Sequence, residues 1–230
     1  MITMAEKKRS RPFKYKKISA FCGIACIIVF FICLLLSIHF SNDFSWTEDY
    51  ISYLSGEIGD RPIWAARGVS SLILNIGVIL SGLFGILFVT FISESSLFRG
   101  KIGRMGMHIL FLGMVAFTCL GIFPYTLGSI HIFFSDVFFG LAPFVLLVNG
   151  YQIGKIFGKK WWLIIGLVSF ISFCSVGLFL FIHSFLGYSK AVSELVVLSS
   201  IFLLFIIICI KLLDIDSSLK SVKTSSKVKK

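Results

Sequence analysis

Residues 128–143 read GSIHIFFSDVFFGLAP. The stretch is apolar enough for hydrocarbon, yet it carries His131 and, five positions on, Asp136. The apolar run continues to about residue 153, the ~20 residues that a helix needs to cross ~30 Å of bilayer core. Whether this is a membrane span or the buried helix of a soluble domain is decided by the rest of the chain.

The rest is just as apolar. Of 230 residues, 57% are hydrophobic and 14% charged, and the mean hydropathy is +0.96. A soluble domain is nearer ~45–50% apolar and could not hide the excess. Apolar windows lie at about 18–40, 68–92, 105–127, 131–153, 162–185 and 191–213, each roughly one bilayer long. The expected fold class is therefore all-α: a six-helix integral membrane bundle spanning residues 18–213. The flanking segments 1–17 and 214–230 are basic tails, and the longest connection is 41–67. The first run is too long for a signal peptide's apolar region of ~7–15 residues and has no small-x-small cleavage pattern, so it is read as an uncleaved span.

Lys and Arg set the orientation. With the N-terminus inside, the inner side collects seven basic residues in the N-terminal tail, then Arg99, Lys101 and Arg104, then Lys155, Lys159 and Lys160, then Lys211 and five C-terminal lysines. Only Arg61, Arg67 and Lys190 fall outside. Nineteen against three predicts both ends in the cytoplasm. The formal charge of +11 is thus concentrated beside the spans, where anionic headgroups attract it by ~1 kcal/mol per residue. It points to lipid partners and not to nucleic acid. The six cysteines all lie in apolar runs, outside any CxxC pattern, and read as packing residues.

This orientation gives His131 and Asp136 a depth. Span four enters from the outer side with His131, and Asp136 lies ~7.5 Å deeper at 1.5 Å per residue. His39 ends span one outside, His183 ends span five outside, Glu194 opens span six, and Asn75 lies about two turns into span two. The inner half has only His108 and Asn149, with Gln152 at the boundary. Ionisable groups at membrane depth cost ~2.5–3.5 kcal/mol each on insertion scales, so they face the bundle interior or a wet cavity. The expectation is one polar pocket open to the outer leaflet, roofed by 41–67, containing His39, Ser52, Asn75, His131, Asp136, His183 and Glu194. Because His131 and Asp136 are five apart, they do not share a helix face. In span two, Gly77, Ser81 and Gly85 recur every four residues and predict a close helix contact inside the bundle, with a homo-oligomer as the other use. Pro143 interrupts span four.

Several chemistries could use such a pocket. No HxxxH or HExxH pair fixes a zinc site, and no metal or other cofactor is expected. No GxSxG is present, although Ser52, Ser55, His131 and Asp136 supply the residue types of a hydrolase. Asp136 or Glu194 could titrate in a proton-coupled transporter, but spans 1–3 and 4–6 show no internal repeat.

Four stretches also carry a resemblance: YISYLSGEIGDRP, LILNIGVILSG, LGIFPYTLGSIHIFFSDVFFGLAPFVLLVNGYQ and AVSELVVLSSIFLLF. Together they resemble the six-span family called domain of unknown function 998, and beyond it the Frag1/DRAM/Sfk1 group. The likeness covers roughly residues 18–213 and falls on Ile51 and Ser52, Asn75 and Gly77, His131, Glu194, and Tyr151 and Gln152. Asp136 departs from the pattern, and the 41–67 connection is longer than it. The resemblance implies a membrane protein connected with lipids and no agreed reaction. The expected role is lipid binding or membrane organisation, at the cell membrane by default. A lipid-modifying hydrolase or acyltransferase using His131 with Asp136 or Glu194, and a small transporter, stay open as alternatives.

Overall fold

The computed structural model describes residues 4–41, 44–46, 49–56, 68–93, 95, 98, 100–181 and 190–228. For 4–14, 156, 157, 159, 161, 162, 175–181, 190, 193 and 214–228 it describes the backbone alone. Among the described residues six α-helices follow one another: α1 Met4–His39, α2 Gly68–Ser93, α3 Lys101–Ile122, α4 Ser129–Phe157, α5 Lys159–Phe181 and α6 Lys190–Val228. The short 3₁₀ turns Ile51–Ser55 and Tyr125–Leu127 lie before α2 and α4. There is no strand among the described residues. Among the described residues five helices are long and apolar enough to cross a membrane: α1, α2, α3, α4 and α6. In α5 the described apolar stretch is the shorter Leu163–Cys174.

Helical structure outruns the apolar windows. α1 starts inside the basic segment and α6 continues well past residue 213. Hydropathy marks where the chain leaves hydrocarbon, whereas backbone hydrogen bonding continues through good helix formers such as Lys, Glu and Leu. The window at 105–127 is corrected in the other direction. α3 ends at Ile122, Phe123 leaves the helix at φ −110° and ψ 83°, and Pro124, which has no N–H to give, opens the turn Tyr125–Leu127. Between α4 and α5 the chain reverses on Gly158 alone, at φ 104°, a conformation that only glycine adopts without strain.

Each helix packs on the next, and α6 closes the ring by packing on α1 as well as α4 and α5. The shared core is aromatic: Phe30 of α1 lies 5.8 Å from Phe117 of α3 and 5.2 Å from Phe202 of α6, and Phe117 lies 5.0 Å from Phe138 of α4. Large apolar side chains on the rim, such as Phe21, Leu35, Leu72 and Phe170, are exposed. That arrangement suits helices whose outer faces meet lipid.

The α1–α2 contact is close because small residues line it. A Cβ on Gly77 would run into Cys33. Ser81 Oγ donates to the Cys26 carbonyl at 2.8 Å. Gly85 faces α3 instead, against Met114. Near the end of α1, Ser37 and Ser70 bond reciprocally: each hydroxyl donates to the other's carbonyl, at 2.9 and 2.7 Å. Pairing of this kind satisfies groups that hydrocarbon would leave bare.

Candidate functional site: a cavity capped by a carboxylate-bound turn

α2, α4 and α6 all begin at one end of the bundle, the end at which α1 finishes. The turn Ile51–Ser55 packs there on α2 and α6. Its first N–H groups have no partner within so short a helix, as at any helix start. Glu194, one turn into α6 and only 5% exposed, supplies the acceptor. One carboxylate oxygen takes the N–H of Ile51 at 2.6 Å and that of Ser52 at 3.3 Å, and the other takes the Ser52 hydroxyl at 3.2 Å. A carboxylate at a helix N-terminus is favourable on charge as well as bonding.

The far end of the same turn is held by α2. The Ser55 carbonyl accepts the Ser71 hydroxyl at 2.6 Å and the Asn75 amide N–H at 3.2 Å. The Ser55 hydroxyl donates to the Ser52 carbonyl at 2.6 Å and accepts the Tyr125 N–H at 3.0 Å. Because a carbonyl can only accept, the Asn75 bond fixes which way its amide points. Asn75 Oδ1 is then left buried, with no partner among the described residues. At the start of α4, His131 is 4% exposed and its Nδ1 lies 2.7 Å from the Phe123 carbonyl. The same logic puts a proton on Nδ1, so Nε2 of the neutral ring is an acceptor.

Beneath the turn lies a cavity of ≈ 50 Å³. Ser52, Ser55, Asn75, His131, Ser135 and Glu194 form its polar lining, and Phe30, Phe117, Phe138, Phe139 and Leu198 are among its apolar lining. Tyr125 stacks edge-on to His131 at 5.5 Å and lies 4.7 Å from Tyr53. Burial, then the neighbouring Tyr53 and Glu194, push the Tyr50 phenol up to about 12. Burial and the Tyr53 bond raise Tyr125 in the same direction.

Of the seven residues expected in one pocket, four meet: Ser52, Asn75, His131 and Glu194. Asp136 does not; it is exposed on the opposite side of α4. The face of α4 that lines the cavity carries His131, Ser135, Phe138 and Phe139, spaced i, i+4, i+7, i+8, and position 136 is out of phase with it. His39 is exposed as well, its ring against Phe40 at 5.2 Å. His183 lies outside the described residues. His108 is exposed, and Asn149 is buried far from the cavity, bonded to the carbonyls of Gly106 and Val145. Ser71 and Ser135 were absent from the expectation, although each sits four residues from a named partner, Asn75 and His131. Tyr125 acts through its backbone N–H, for which no side-chain signal exists.

The geometry bears on chemistry. The Ser52 hydroxyl bonds the carboxylate directly, the Ser55 hydroxyl is already committed twice, and the His131 proton goes to a backbone carbonyl. Among the described residues Ser52, Ser55, His131 and Glu194 do not form a serine-to-histidine-to-acid relay. Among the described residues no group of three His, Cys, Asp or Glu could hold a metal ion.

A helical bundle in which five of the described helices are long and apolar enough to cross a bilayer has the make-up of an integral membrane protein. The chain belongs to the protein family of unknown function DUF998, whose model matches residues 24–211. No curated protein and no solved structure matches it.

Proposed function

We propose that the chain is a six-span protein of the cell membrane, with both ends in the cytoplasm, that binds a membrane lipid or organises lipid through the cavity at its outer end. One observation carries the reading: polar side chains from four separate elements, Ser52, Asn75, His131 and Glu194, line a single hollow that also has an aromatic wall. A lipid presents this combination, a polar head on an apolar body. The likeness to the Frag1/DRAM/Sfk1 group supports a connection with lipids, and the lysine-rich ends support anionic headgroups as partners on the cytoplasmic face. The sixth span would be α5, whose 23 residues are long enough to cross.

The test is to extract the full-length protein with its surrounding lipid and to compare retained lipid classes with the parent membrane. One class should be enriched, and His131→Ala or Asn75→Leu should cut that enrichment while the protein stays folded. A retained composition matching the bulk membrane, unaltered by either change, would refute the proposal.

A further inference from the structure

The cavity lies inside the bundle, so an occupant has to pass something to reach it. Its lining comes from α1, α2, α3, α4, α6 and the turn Ile51–Ser55. The helices are keyed to one another. Phe30, Phe117, Phe138 and Phe202, from four different helices, interlock with ring centroids 5.0 to 5.8 Å apart, and Gly77 leaves no room beside Cys33. Parting the helices would strip close contacts between side chains that pack as tightly as a crystal.

The turn is held in another way. Its ties to the helices are hydrogen bonds at its two ends, and water can take over such bonds when the turn lifts. The two ends differ. At Ser55, separate groups share the load: the carbonyl accepts from Ser71 and Asn75 of α2, and the hydroxyl accepts the Tyr125 N–H. Leu54, beside it, is fully buried. At Ile51 and Ser52 one side chain, Glu194, makes all three bonds, so a single rotation of that side chain releases them together. Gly56 follows the turn at φ 143° and ψ 144°, a backbone that favours glycine and suits a pivot. Ile51 is 4% exposed and is uncovered when its end lifts, which keeps the closed state the populated one.

We infer that the turn Ile51–Ser55 is the gate of the cavity: it lifts from Glu194 at its Ile51 end and pivots on Ser55, which stays tied to α2 and to the turn Tyr125–Leu127. The inference rests on the reading of the cavity as a binding site and names how that site is entered and sealed.

The experiment uses the full-length protein in detergent with Val78→Cys, a buried position in the lining, and methyl methanethiosulfonate as the probe. Peptide mass spectrometry follows modification at position 78 beside the native thiols. Access to a closed site tracks the population of its locally open state. Ser52→Ala removes one clasp bond and should speed modification at position 78 about threefold, and Glu194→Gln about tenfold, the range that lost hydrogen bonds produce. Ser52→Ala keeps the test valid if Glu194→Gln unfolds the protein. Ser71→Ala, on the pivot side, should speed it less than Ser52→Ala does. Cys26 and Cys209, buried farther along α1 and α6, should keep their rates in every variant. A rate at position 78 indifferent to Ser52→Ala and Glu194→Gln would overturn the inference and show entry between helices. So would a rise shared by Cys26 and Cys209, which is general loosening, or a larger effect of Ser71→Ala, which would put the release at the other end. Retained lipid with an indifferent position 78 would leave the lipid reading standing without the gate. A responsive position 78 with no lipid class enriched would refute the lipid reading and leave the gate with another occupant.

Discussion

Glu194 accepts the backbone N–H of Ile51 at 2.6 Å across 143 residues of chain. With the two bonds from Ser52 it forms the joint by which the first long connection is fixed to α6. Glu194→Gln keeps the shape but replaces one acceptor oxygen by a donor facing donors. Leaving buried N–H groups unpaired costs ~1–3 kcal/mol, so the variant should melt several degrees below the wild type in detergent. Glu194→Ala should melt lower still. A wild-type melting temperature for both would show that the joint is dispensable.

Ser37 and Ser70 provide a cleaner energetic measurement. Their reciprocal bonds are symmetric, so Ser37→Ala and Ser70→Ala should each destabilise α1–α2 packing, and the double variant should cost less than the sum of the two. Interhelical bonds in membranes average ~0.6 kcal/mol by such cycles. A coupling energy of zero would mean that each serine finds another partner when its mate is lost.

Gly77 and Gly140 make a matched pair of tests. A methyl on Gly77 drives into Cys33, whereas one on Gly140 meets nothing within 4 Å. Gly77→Ala should lower stability by ~1–3 kcal/mol, the usual range for overpacking. Gly140→Ala should be neutral or mildly stabilising, since alanine is the better helix former. Equal melting temperatures for the two variants would contradict the α1–α2 packing described.

Tyr50 gives a pH signature outside the bundle. Its phenol is pushed up to about 12 in the fold, first by burial and then by Tyr53 and Glu194, against ~10 in an unfolded chain. The folded state therefore holds the proton more tightly. Tyr50 contributes stability that is complete below about pH 10 and is lost as pH rises from ~10 towards ~12. Melting temperatures from pH 9 to 12 should fall more steeply for the wild type than for Tyr50→Phe, and ultraviolet titration should show a phenol ionising late.

Asp136→Asn tests the division between the two faces of α4. Asp136 is exposed and does not line the cavity, so the change should leave lipid retention as it is, whereas His131→Ala reduces it. Loss of retention in Asp136→Asn with the fold intact would place the working surface on the outside of α4.

How much of this was legible in the sequence depends on what kind of signal each part leaves. Helices of membrane length announce themselves by apolar run length, and the positions of α2 and α4 and the start of α6 lie close to the apolar windows. Asn75, His131 and Glu194 were legible because polar groups stand out against Leu and Phe. Their phase was harder. His131 and Asp136 were both expected in the pocket although their five-residue spacing puts them on different faces of the helix, and only His131 lines it. The decision came from Ser135, Phe138 and Phe139, which complete the inward face with His131 and look unremarkable in a greasy helix. The Glu194 joint was illegible beyond its acid, because its strongest partners are the main-chain N–H groups of Ile51 and Ser52. Any residue but proline carries such a donor.

The joint also orders how the molecule is made. During synthesis the turn at Ile51–Ser55 emerges early, and the carboxylate that holds it arrives 143 positions later. Until α6 has left the ribosome and inserted, the five earlier helices have no acceptor for those two amides, and the hollow beneath them has no sixth side. A nascent chain stalled before residue 194 would carry a recognisable defect, an undocked Ile51–Ser55 turn above an unfilled aromatic cleft. Proteolysis within the turn would register its repair as a single late step.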